Sequence, residues 1–159
     1  GWSVDGEPVQ TVYSAADEAA VLRDFAEQLA VPRIAIFDTS VVGHNVSAFD
    51  LRFLLQRYTV HGIKPPFVIR RAAQARAWEA DKVFDTMVQW AGVGNRVSLG
   101  KLCLALNIPS PKGGDITGAT VGRAVAEGRI TEVAEYCARD VAAVIAVWQH
   151  LTFHEVEAA

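Results

Sequence analysis

Gly43-His44-Asn45-Val46-Ser47-Ala48-Phe49-Asp50 stands where one kind of backbone gives way to another. Upstream, Ile34-Ala35-Ile36-Phe37 and Val41-Val42 are apolar and rich in β-branched residues, as expected of a buried strand or a bent pair of strands. Gly43-His44-Asn45 ends that run. Ser47 is placed to cap a new helix whose apolar face would include Phe49, Phe53 and Leu54. The carboxylate of Asp50 therefore falls in the first turn of a helix that follows a strand. The C-terminal ends of sheet strands are where α/β proteins usually build sites. Taken alone, the stretch also has a plainer reading, in which Asp50 complements the positive end of its helix.

Working outward, two short apolar/polar alternations, residues 2–4 and 9–13, flank Asp5-Gly6, a strong hairpin signal. Ser14 lies three residues before Asp17, a spacing that resembles a capping box. Val21, Leu22, Phe25 and Leu29 follow at helical spacing, which predicts an amphipathic helix over 15–30, stopped by Pro32. On the C-terminal side, residues 62–67 contain Pro65-Pro66 and must be a loop. Residues 69–91 are mixed, with a helix or strand through 83–90. Ser98 opens a helix through Leu99, Leu102 and Leu106. Residues 107–118 form a long loop, and a short helix near 119–126 ends at Gly128. Thr131 caps a last helix with apolar positions Val133, Cys137, Val141, Val144, Ile145 and Trp148. This order predicts an α/β fold, a mixed sheet flanked by helices, as one domain over 1–159.

The last helix carries a second constellation. Tyr136 and Asp140 are four residues apart and so share one face. That face is expected to differ from the one formed by Cys137, Val141 and Val144. A carboxylate on a helix built for burial needs a partner, because an unpaired buried charge is costly. A surface helix with an exposed acid is the plainer reading of Tyr-x-x-x-Asp by itself.

The composition, 51% hydrophobic and 21% charged, is that of a soluble globular chain of 159 residues with one sizeable core. No apolar run approaches the roughly 20 residues of a membrane span, and residues 1–6 lack the features of a secretion signal. These features predict a cytoplasmic protein without membrane contact. Cys103 and Cys137 have no metal-ligand spacing and read as buried free thiols. The net charge of −3 is unevenly spread. Residues 1–50 hold two Lys/Arg and eight Asp/Glu, residues 51–114 ten and three, and residues 115–159 three and seven. The central basic block suits a phosphate backbone; a solvated Arg-rich surface fits it too.

Together the two constellations resemble a family, the DEDD 3′–5′ exonucleases marked by tyrosine. The likeness is to predicted exonucleases related to the proofreading domain of family B DNA polymerases. Residues 43–50 with Phe53-Leu54 and Arg57 look like the family's second motif, and Tyr136-Cys137-Ala138-Arg139-Asp140-Val141 like its third. The likeness continues through Asp85-Thr86-Met87, Ser98-Leu99, Ile108-Pro109-Ser110-Pro111-Lys112 and Gly118. The resemblance implies a ribonuclease H-like fold, two divalent ions, Mg²⁺ or Mn²⁺, held by four carboxylates, and single-stranded DNA 3′ ends as substrate. It implies that Asp140 ligates one ion, that Asp50 holds the other and that Tyr136 orients the attacking water. His44, Asn45 and Phe49 would line the terminal-nucleotide pocket, and Lys112 would reach a phosphate.

The family's first motif, Asp-x-Glu on the first strand, supplies two of the four carboxylates. Asp5-Gly6-Glu7 has the right letters in a turn-forming context. Asp38 follows an apolar run but has Ser at position 40 and little room before Asn45. The third alternative is that the first strand lies upstream of residue 1, which would leave a sheet edge for a second copy or a partner to cover. Two functions follow: a metal-dependent exonuclease, or an inactive nucleic-acid-binding or assembly module that keeps the fold.

Overall fold

The computed structural model describes residues 1–4, 7–10, 17–30, 39–111, 113 and 115–154. The chain divides into two compact units, Glu18–Arg96 and a second formed by Gly1–Asp17 with Val97–Ala159.

The unit of residues 18–96 starts with helix α1, Glu18–Leu29, inside the predicted 15–30 span. Strand β1, Val41–Gly43, pairs in parallel with β2, Val83–Asp85, in the register Val41 to Val83 and Gly43 to Asp85. Parallel neighbours need a long crossover, and here it contains helices α2, Asp50–Val60, and α3, Phe67–Ala73. Helix α4, Thr86–Ala91, follows β2 without a gap. Val46, Leu51, Val68, Ile69, Ala72 and Val83 form the core, with Phe25, Leu29 and Leu54 packed on it. Tyr58 is fully buried, and its hydroxyl donates to the Leu22 carbonyl at 2.9 Å, tying α2 to α1. Burial pushes its phenol up to about 12. The predicted strand at 34–37 and Asp38 lie outside the described residues.

Two expectations for α2 are corrected. Ser47 does not cap it: its hydroxyl is buried without a partner, and the helix begins at Asp50, after a turn in which the Phe49 N–H reaches the Asn45 carbonyl at 3.1 Å. Nor do Phe49 and Phe53 face the core. They are 62% and 51% exposed, and the buried side of α2 is Leu51 and Tyr58. The four-residue turn, 46–49, shifts the helix phase, so the apolar repeat that counts starts at Leu51.

In the other unit, Trp2 and Gln10 exchange backbone hydrogen bonds at 2.9 and 2.7 Å. The two sides of the predicted hairpin thus meet; Asp5-Gly6 and residues 11–13 lie outside the described residues. Helix α5, Leu99–Ala105, is capped by Ser98, whose hydroxyl accepts the Lys101 N–H at 3.3 Å, as predicted. Helix α6, Val121–Ala126, and the 22-residue α7, Ile130–Leu151, complete it. Thr131 lies inside α7, so its predicted capping role is corrected. Arg129 precedes the helix and makes no side-chain cap. Its guanidinium instead bridges Asp115 and Glu132 at 2.7–2.9 Å. That pairing holds the Asp115 carboxyl down at about 2 and ties the long loop to the start of α7. The architecture is mixed α/β with a two-stranded parallel sheet among the described residues. No helix among them is long and apolar enough to cross a membrane.

Candidate active site

At the C-terminal end of the parallel pair, β1 and β2 each release a loop, and one buried carboxylate joins them. Asp85 is 3% exposed. Its Oδ1 accepts the Asn45 N–H at 2.8 Å and the Met87 N–H at 3.1 Å, and its Oδ2 accepts the Ser47 N–H at 3.1 Å. One side chain thus caps α4 and folds the loop before Asp50. Thr86, fully buried, adds a second clasp. Its hydroxyl donates to the Gly43 carbonyl at 3.2 Å and lies 3.0 Å from His44 Nδ1. Burying polar groups is tolerable here because their hydrogen bonds are made.

The loop's backbone explains two of its residues. Asn45 has φ 59°, the left-handed region that asparagine tolerates better than most residues. Gly43 admits no side chain: an added Cβ would stand 2.5 Å from Val46 Cβ. The tight turn delivers Asp50 to the start of α2. Asp50 is exposed, yet its carboxyl is raised above the usual range, first by partial desolvation and also by the negative charge of Asp85; its own N–H and His44 oppose this. Phe49 and Phe53 stack beside it with ring centroids 6.2 Å apart and planes 6° apart.

On α7 the buried stripe runs through Val133, Ala143 and Val147. Tyr136 and Asp140 fall on that same stripe at helical spacing, so the expected separation of their face from the packed one is corrected. Val133, Tyr136 and Cys137 belong to one apolar cluster with Ile116 and Ala124. Ala143 and Val147 belong to another, with Leu102 and Cys103. Asp140 stands between the two. Tyr136 lies one turn before it on the same stripe. Burial, then the neighbouring Asp140 carboxylate, raise the phenol above its ordinary value. Cys103 is buried, and desolvation, with a further contribution from the Asp140 charge, keeps its thiol protonated. Arg139, beside the pair, donates to the Gly113 carbonyl at 3.3 Å. The expectation of buried free thiols holds for Cys103; Cys137 is free and half-buried.

A family model described as a predicted 3′–5′ exonuclease related to the exonuclease domain of PolB matches residues 4–158. The chain belongs to this family. No curated protein and no solved structure matches it. The match to this PolB-related exonuclease family crosses both compact units and takes in Asp50, Tyr136 and Asp140.

The structure brings His44, Asn45 and Asp50 onto one clasped loop and sets Tyr136 and Asp140 one turn apart on the packed stripe of α7. Lys112 and Asp5 lie outside the described residues. Glu7 is exposed, and its N–H closes a turn on the Val4 carbonyl at 2.9 Å. A four-carboxylate cage is not completed among the described residues, where no group of three His, Cys, Asp or Glu side chains is placed to share an ion. Asp85 is 3% exposed, and its oxygens hold three backbone N–H groups, so its observed part is to anchor the loop. Reading the sequence missed the part played by Asp85 and Thr86. A carboxylate after the short apolar Val83-Phe84 and directly before a helix was the available sign.

Proposed function

We propose that this chain is a 3′–5′ exonuclease that hydrolyses phosphodiester bonds at the 3′ end of single-stranded DNA, on a ribonuclease H-like fold. The observation that carries the reading is the Asp140 carboxylate on the packed stripe of α7, one helical turn after the half-buried Tyr136. A carboxylate placed there costs stability unless it works, and the phenol beside it stays protonated and able to orient a water.

Asp50 and the stacked Phe49 and Phe53 rings support the same reading. An exposed ring pair next to a carboxylate suits the terminal base or sugar of a single strand. His44 and Asn45 would border that nucleotide. The reading requires Mg²⁺ or Mn²⁺ on Asp50 and Asp140, with further carboxylates that the described residues do not supply.

The experiment is metal-dependent shortening of a 5′-labelled single strand from its 3′ end. Asp140→Ala should abolish it, and EDTA should stop the wild type. Shortening that survives either change overturns the mechanism. The incomplete carboxylate set also favours a second reading, an inactive module that binds nucleic acid. Retained strand binding without shortening under any divalent ion would select it.

A further inference from the structure

Helix α3 turns one face inward and one outward. Val68, Ile69 and Ala72 are buried. Phe67, Arg70, Arg71 and Gln74, at i, i+3, i+4 and i+7, line an open pocket of about 300 Å³ with Ala75 and Lys82. Two of its three cations are already paired: Lys82 with Glu79, and Arg71 with Asp81 at 3.4 Å. Arg71 also donates to the Thr39 carbonyl at 3.0 Å, so it is held in place. Arg70 has no ion pair among the described residues. Its Nε is buried without a hydrogen-bond partner, and its guanidinium lies 5.8 Å from the centre of the Phe67 ring.

A few residues on in the sequence, Arg76 stacks on Trp78 at 5.5 Å, and Trp78 is 71% exposed. One guanidinium–ring pair therefore lines the pocket, with one cation that has no ion pair among the described residues, and a second such pair follows closely along the chain. Aromatic faces interleaved with cations are what sequence-tolerant single-strand binding uses, because every base has a π-face and every nucleotide a phosphate. The place matters too. Lys82 precedes β2 and Thr39 precedes β1, whereas the loop carrying Asn45 and Asp50 follows β1. The pocket and that loop thus lie at opposite ends of a three-residue strand pair, about 10 Å of strand.

We propose that the Phe67–Arg70 face with Trp78 is a second contact for single-stranded nucleic acid, remote from the clasped loop. Arg70 takes a backbone phosphate, and Phe67 and Trp78 each take a base face. The ligand class rests on the nucleic-acid reading above, but the contact does not depend on cleavage. It makes strand affinity exceed what the Asp50 loop alone provides.

The test is fluorescence anisotropy of a labelled oligo-dT of about 15 nucleotides in EDTA, across a salt series. Arg70→Gln should weaken binding and lower the slope of log K against log salt by about 0.7, the value for one phosphate on a single strand. Trp78→Ala, at an exposed position where folding is not at stake, should weaken binding about tenfold with the slope unchanged. Binding that is absent, or insensitive to both substitutions, overturns the proposal. So does displacement by inorganic phosphate or polyglutamate as effective as by unlabelled oligo-dT, since the face would then read charge alone. Strand shortening with added metal is measured separately and decides the exonuclease reading by itself.

Discussion

Asp85 Oδ1 accepts the backbone N–H of Asn45 at 2.8 Å, across forty residues of chain. With the Ser47 and Met87 contacts, this makes one buried carboxylate the common anchor of the turn before Asp50 and the start of α4. Asp85→Ala leaves three N–H groups without that acceptor. The expected loss is about 3 kcal/mol in urea denaturation, by the usual penalty for unpaired buried polar groups. Asp85→Asn keeps one acceptor oxygen and should lose less. In a folded Asp85→Asn protein, strand shortening should fall because Asp50 is displaced. A variant with wild-type stability and rate would show that the clasp does not position Asp50.

Gly43 makes a separate demand on the same turn. Alanine there must displace Val46, whose Cβ would be 2.5 Å away. Overpacking of this kind costs about 2 kcal/mol. Val46→Ala should not rescue it, because the clash is with Cβ itself. Denaturation midpoints of the single and double variants check this; recovery in the double variant would place the conflict at the valine methyl groups instead.

How much of this was legible in the sequence depends on what each residue packs against. The helices and the Ser98 cap follow from local periodicity and turn chemistry, and α1, α5, α6 and α7 lie where expected. The phase of α2 did not follow, because a left-handed Asn45 and a four-residue turn precede it. Those depend on Asp85, distant in sequence. Ser47 has the right chemistry for a cap but spends its N–H on Asp85. On α7, Val141, Val144 and Trp148 look like the packed positions by size. The stripe instead uses the small Ala143 and carries Asp140 along its middle. The central basic block meant little until α3 put Arg70 and Arg71 on one face. Asp50, Tyr136 and Asp140 could be singled out because they lie on the motifs; that Asp85 anchors the turn before Asp50 could not, because its partner Asn45 is forty residues away in the chain.

Asp140 on the packed stripe predicts a conflict between stability and activity. Asp140→Asn keeps the side chain's shape and removes a charge flanked by two apolar clusters. Thermal stability should stay level or rise, by up to about 1 kcal/mol, while strand shortening is lost. A clear drop in melting temperature would mean that the charge is compensated and serves the fold.

Tyr136 supplies the pH dependence. Its phenol is raised above the ordinary value near 10, by burial and then by Asp140. The folded state therefore holds this proton more tightly than the unfolded state does. The resulting stability is fully present below the unfolded phenol value and is lost as pH rises through the higher folded one. Below pH 10 the side chain stays neutral, never a phenolate. Tyr136→Phe should then lower the rate about a hundredfold at every pH from 6 to 9, without moving any inflection in the pH–rate profile. Ultraviolet difference titration against Tyr136→Phe should show the missing phenol ionising only above the ordinary tyrosine range. An inflection near neutrality that disappears in Tyr136→Phe would assign the tyrosine a proton-transfer role instead and overturn the positioning reading of the Tyr136–Asp140 pair.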